Sequence, residues 1–218
     1  SLSANTTGAN NTAVGRYAMV ANTTGAGNTV LGVDAGDNIT TGLNNVLIGW
    51  GPTTSASGGN NQIVIGENVV GSGNQNFTFG NGATDSNITY GSTSITAPSD
   101  IRYKEEVTDA TAGLAFITAL RPVTFKWKKE KDVPSDHRAY VADSETRVMN
   151  DYTNHGFIAQ EVKAAIDSHS EIKDGFDMWS ADETDGRQRL GAASLMPIVV
   201  KAIQEQNALI EALTARIT

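Results

Sequence analysis

The chain has 218 residues and 22.9 kDa, with 39% hydrophobic residues, no cysteine and a formal net charge of −8. That length fits one or two domains, and the lack of cysteine excludes a disulfide framework, a thiolate metal site and a cysteine nucleophile. Acidic residues outnumber Lys and Arg 24 to 16, against what a nucleic-acid partner demands; no run approaches the roughly 20 apolar residues of a spanning helix, so neither membrane insertion nor a signal peptide is expected.

Charge is unevenly spread. Residues 1–98 hold one basic residue, Arg16, and four acidic ones, Asp34, Asp37, Glu67 and Asp85; all other charges lie beyond. The first part is rich in Gly, Asn and Thr, a composition that reads as a flexible linker unless its spacing is ordered. Gly15, Gly32, Gly49 and Gly66 recur every 17 residues, each after two aliphatic residues. Gly8, Gly25, Gly42 and Gly59 keep that interval, as do Asn11, Asn28, Asn45 and Gln62, with Thr-Thr-Gly turns at Thr6, Thr23 and Thr40 in step. One short strand of about four residues per repeat, bounded by residues that tolerate left-handed backbone, predicts one coil per repeat. A unit this small buries no core of its own, so coils must stack, with ladders of aliphatics and asparagines inside.

From Asn74 the period fails: Phe77-Thr78-Phe79-Gly80 and Ile88-Thr89-Tyr90-Gly91 keep a strand-glycine pattern at shorter intervals, which predicts a cap or taper. The array over residues 5–66 resembles the β-roll repeats of trimeric bacterial adhesin heads, in which three chains pack together. Residues 1–98 contain no histidine and no paired carboxylates, so a structural or adhesive role is expected.

Residues 99–218 read as a small α+β domain. Gly113–Leu120 carries apolar residues at helical spacing and stops before Arg121-Pro122. Val123–Lys128 alternates apolar and cationic residues, as a strand with one buried face does. The polar stretch 129–154 predicts an exposed excursion, His155–Ala159 a strand, and Gln160–Ile166 a helix; Trp179 and Leu190 bracket a second polar stretch. At the C-terminus Met196, Val199, Ile203, Gln206, Ile210, Leu213 and Ile217 follow alternating steps of three and four. This spacing fits either a coiled-coil seam, with Gln206 as a polar register residue, or an amphipathic helix docked on its own domain.

Four motifs then occur in order: Ser99-Asp100-x-Arg102-x-Lys104; Gly113-Leu114-x-Phe116-Ile117-x-x-Leu120-Arg121-Pro122-Val123-x-Phe125-x-Trp127; Gly156-Phe157-Ile158-Ala159-Gln160-Glu161-Val162; and the terminal heptads. Together they resemble the self-cleaving intramolecular chaperone domain of phage tailspikes and tail fibres, carried by endosialidases and L-shaped fibres. The resemblance implies a trimeric protein: an all-β repeat shaft over 1–98, then an α+β chaperone over 99–218 ending in a coiled-coil helix. It implies a Ser-Lys peptidase acting once on its own chain, with Ser99 as nucleophile, Lys104 as base, the cut at Pro98-Ser99, and Asp100 and Arg102 in support.

On spacing alone Ser99-Asp100 also reads as a turn or helix cap, with Lys104 paired to Glu105 or another carboxylate. The histidines His137, His155 and His169 form no metal constellation, and Trp127 and Phe157 read as core aromatics; neither metal nor cofactor is expected. The expected partners are two further copies of the chain and a host-surface receptor, with no nucleic acid. The mature fibre is expected in the virion tail, and the released chaperone in the host cytoplasm during assembly. Two other classes fit parts of the sequence. A trimeric bacterial adhesin needs a membrane anchor, and this sequence ends in a polar-faced helix; a glycan-degrading tailspike needs a carboxylate pair among Asp34, Asp37, Glu67 and Asp85.

Overall fold

The structure, a computed structural model, describes residues 1–217. It divides into two compact units, residues 1–106 and the residues from Val107 onward.

The first unit is a β-solenoid of about four turns. Its strands β1 (Thr12–Val14), β2 (Thr29–Leu31), β3 (Val46–Ile48), β4 (Gln62–Glu67) and β5 (Asn76–Asn81) pair in parallel, in chain order. One register row runs Ala13, Val30, Leu47, Val64, Thr78, so each repeat lays one rung on the last. In the first three coils the strands are three residues long rather than four, because each ends at a glycine that turns the chain. Gly15, Gly32, Gly49 and Gly66 have φ between +133° and +140°. A Cβ on Gly32 would lie 1.7 Å from the carbonyl oxygen of Gly49, and one on Gly49 1.9 Å from that of Gly66. Backbone conformation and close coil stacking therefore both demand glycine.

Between the coils lies an amide ladder. The Asn28 backbone N–H donates to Asn11 Oδ1 at 2.9 Å, Asn45 N–H to Asn28 Oδ1 at 3.0 Å, and Gln62 N–H to Asn45 Oδ1 at 2.9 Å. Each asparagine also donates through Nδ2 to a glycine carbonyl, Asn28 to Gly42 at 2.9 Å and Asn45 to Gly59 at 2.7 Å. Asn28, Asn45 and Gln62 are fully buried, and these bonds satisfy polar groups that would otherwise oppose burial. Beside the ladder, Met19, Val30, Ile39, Leu47, Val64 and Val69 fill a core with no exposure.

The array tapers as the spacing predicts. Gln62 pairs with Asn76, shortening the last coil, and β6 (Thr84–Thr89) folds back antiparallel on β5, with Phe77 opposite Ile88.

The second unit holds α1 (Leu114–Ala119), β7 (Val123–Phe125), β8 (Asn154–Gly156), α2 (Ala159–Asp167), β9 (Trp179–Ala181), β10 (Gln188–Leu190) and α3 (Leu195–Ala215). β7 and β8 pair antiparallel across the polar excursion, which the Lys129–Arg147 bridge closes. Glu145 bonds both Lys129 and Lys131 there, and the two ammonium groups lower its pKa to about 2. Phe116, Val162, Ala165, Ile166, Met178, Leu195 and Ile198 form the core. Glu205 on α3 accepts the Leu114 N–H at 2.8 Å, tying the long helix to the start of α1.

The docked reading holds for one face of the terminal helix, and the heptad residues lie mostly on the other, which nothing covers among the described residues. Leu195, Ile198 and Ala202 are buried against the unit, whereas Met196, Ile203, Ile210, Leu213 and Ile217 of the heptad seam are 55–85% exposed. Val199 is half-buried against the core and Gln206 is exposed.

Candidate functional site

The candidate site is built by one tight turn. Asp100 is extended (φ −73°, ψ 136°) and caps a single 3-10 turn, Ile101–Tyr103, by accepting the Arg102 backbone N–H at 2.9 Å. The Arg102 guanidinium grips the same carboxylate, with Nη2 2.6 Å from Oδ2. That guanidinium holds the Asp100 carboxyl below the usual carboxylate range, so the cap stays ionised in mildly acidic solution. The Lys104 N–H closes the turn on the Ile101 carbonyl at 3.1 Å. The chain thus reverses between Ser99 and Lys104, and Lys104 Nζ lies 2.7 Å from Ser99 Oγ.

The geometry brings together Pro98, Ser99, Asp100, Arg102 and Lys104. Asp100 acts as the cap that spacing alone predicted, while Lys104 reaches Ser99 rather than Glu105. The cluster is largely exposed to solvent, and Asp100 neutralises Arg102, leaving Lys104 without a free cationic neighbour on this turn. A lysine accepts a proton only as its neutral amine, which burial or nearby cations favour.

No other catalytic constellation forms among the described residues. His155 is exposed on β8, and His169 Nδ1 lies 2.8 Å from the Ala165 carbonyl with its ring edge-on to Phe116, as a structural histidine does. No metal-type cluster of His, Asp or Glu occurs there. Of the four acidic residues in 1–98, Glu67 accepts a bond from Asn81. Phe157 packs against the second core, as a core aromatic does, whereas Trp127 is half-buried edge-on against Phe125 and lies outside that core.

One polar feature carries only a weak signal in the sequence. β9 and β10 form a hairpin, and Asp182 at its turn accepts bonds from Arg187 and Arg189, with Arg138 of the excursion 3.5 Å away. Asp185-Gly186 between two short alternating segments was the available signal.

The family model described as Chaperone of endosialidase matches residues 99–170. No curated protein and no solved structure matches the chain. Over residues 99–170 the chain is therefore similar to the chaperone-of-endosialidase family, which supports a chaperone role on a phage tail fibre or tailspike and whose name places it among peptidases. The match spans the Ser99–Lys104 turn, α1, β7, β8 and α2.

Proposed function

We propose that residues 99–218 hold three copies of the chain together while the repeat shaft folds, and then detach by cutting Pro98-Ser99. The observation that carries this reading is the 2.7 Å contact between Lys104 Nζ and Ser99 Oγ, on the first residue of the family match.

In the cut, Lys104 in its neutral form takes the proton of Ser99 Oγ as the oxygen attacks the Pro98 carbonyl carbon. The new C–O bond gives a tetrahedral centre. Its collapse breaks the Pro98–Ser99 C–N bond, and the proton passes to the leaving nitrogen, which becomes the Ser99 amine. Water then hydrolyses the Pro98–Ser99 ester, restoring the hydroxyl and leaving a carboxylate on Pro98. Asp100 and Arg102 act as positioning residues, since their cap sets the turn that returns Lys104 to Ser99.

The wider role follows from the two units. A shaft made of three chains must find its register between chains and exposes unpaired edges while incomplete. A clamp joining three chain ends turns the meeting of shafts into an intramolecular step, and its exposed heptad face is the natural seam. Once the shaft is folded, a high unfolding barrier holds it and the clamp is dispensable. The shaft then serves in host attachment on the virion tail, with the clamp left in the host cytoplasm.

Ser99→Ala and Lys104→Ala are expected to give uncleaved chains that still assemble. Lys104→Arg keeps the charge, offers no base at neutral pH, and is expected to stay uncleaved. Denaturing gels decide the point: cleavage in both alanine variants removes the catalytic assignment.

A further inference from the structure

The outward face of the solenoid sheet is unusual for a strand surface that meets water. Such a surface normally carries polar residues opposite an apolar inner row. Here the outward column Val14, Leu31, Ile48, Ile65, Phe79 is aliphatic and aromatic throughout, and its first four members are 37–56% exposed. The other outward column runs Thr12, Thr29, Val46, Ile63, Phe77, becoming apolar along the array. Val46-Leu47-Ile48 and Ile63-Val64-Ile65 thus read as strands covered on both sides, though the coil covers only one. Two residues beyond the exposed column come Arg16, Val33, Trp50 and Glu67, and the carbonyls of Arg16, Val33 and Trp50 accept from the N–H groups of Asp34, Gly51 and Asn68 on the next coil at 2.7–2.9 Å. Val33 is 41% and Trp50 57% exposed.

We propose that this face is the interface through which the shaft packs on a second copy of the same chain. The proposal rests on the assembling-shaft reading above and names the surface that holds the shaft once the C-terminal clamp has gone. Charge favours a copy as the occupant. Residues 1–98 carry only one basic and four acidic side chains, and none of them lies in the two outward columns, so two copies can meet there without burying a like charge. Pitch favours it too: side-chain ridges about 4.8 Å apart interdigitate with a surface of the same period, which a second copy supplies. With only Thr12 and Thr29 as polar side chains in the columns, the face offers little to a sugar or a charged ligand.

The test uses the whole chain, so that folding proceeds as it does naturally. A site for an added sequence-specific protease is placed between Pro98 and Ser99 in a Ser99→Ala background, and the purified protein is cut at that site. Trp50 is the one tryptophan in residues 1–98, so the released fragment reports on this face alone. The fragment is expected to remain assembled in native mass spectrometry, with the blue-shifted emission of a covered indole. Leu31→Thr, Ile48→Thr and Ile65→Thr together are expected to weaken assembly at least about tenfold, a loss of roughly 1.4 kcal/mol, and to red-shift Trp50. Thr12 and Thr29 already occupy outward positions, so threonine suits the coil, and circular dichroism verifies that the variant folds.

A monomeric wild-type fragment with exposed Trp50, released from a chain that was trimeric before cutting, overturns the interface and leaves the chaperone reading standing. A whole chain that is monomeric before cutting overturns both. A triple variant as assembled as wild type also overturns the interface.

Discussion

At the residue scale the repeating positions are explained by separate physical demands. The column glycines combine a positive φ with a carbonyl oxygen under 2.2 Å from where a Cβ would sit, so alanine is excluded twice. Gly49→Ala is expected to cost about 3 kcal/mol or more and to lower the shaft's melting temperature; an unchanged melt contradicts the stacking. Asn45→Ala strips a buried acceptor from the Gln62 N–H and a donor from the Gly59 carbonyl, at about 1–3 kcal/mol for each group left unpaired. Both residue types were legible in the sequence, because the demand recurs with every coil. The Ser99–Lys104 contact was not legible from spacing. It depends on Asp100 capping a 3-10 turn, and Asp100 is compatible with several turn geometries that carry Lys104 elsewhere.

At the element scale the long helix α3 serves two surfaces. Its inner face is held by Leu195, Ile198, Ala202 and the Glu205 cap on α1, while its heptad face is free for other copies. Ile203→Asn with Ile210→Asn is therefore expected to abolish trimers without unfolding the unit, since neither residue belongs to the inner face. Light scattering reads the first effect and far-ultraviolet circular dichroism the second; a trimeric double variant rules out the seam. The periodicity predicted the helix, but steps of three and four suit a coiled coil and a docked helix alike. Only the burial of neighbouring positions separates the two stripes. The β9–β10 hairpin was missed for a related reason: three-residue strands carry too little alternation to stand out, and Asp182 binds its arginines only after the hairpin has formed.

At the scale of the whole molecule the sequence seam separates two kinds of stability. The repeats gain theirs from neighbouring coils, which is why their composition resembles disorder while their spacing does not. The second unit has an ordinary core of side chains distant in sequence, and its similarity to the chaperone-of-endosialidase family was legible through ordered motifs rather than periodicity. Deleting residues 99–218 from the gene is expected to yield insoluble repeats, because three shafts then meet only by diffusion; a soluble trimeric shaft from that truncation contradicts the clamp. Cleavage remains the central claim, and intact mass spectrometry of the purified full-length protein under denaturing conditions tests it without a substrate. Two fragments that meet at Pro98-Ser99 are the predicted result; a single mass of 22.9 kDa contradicts self-cleavage.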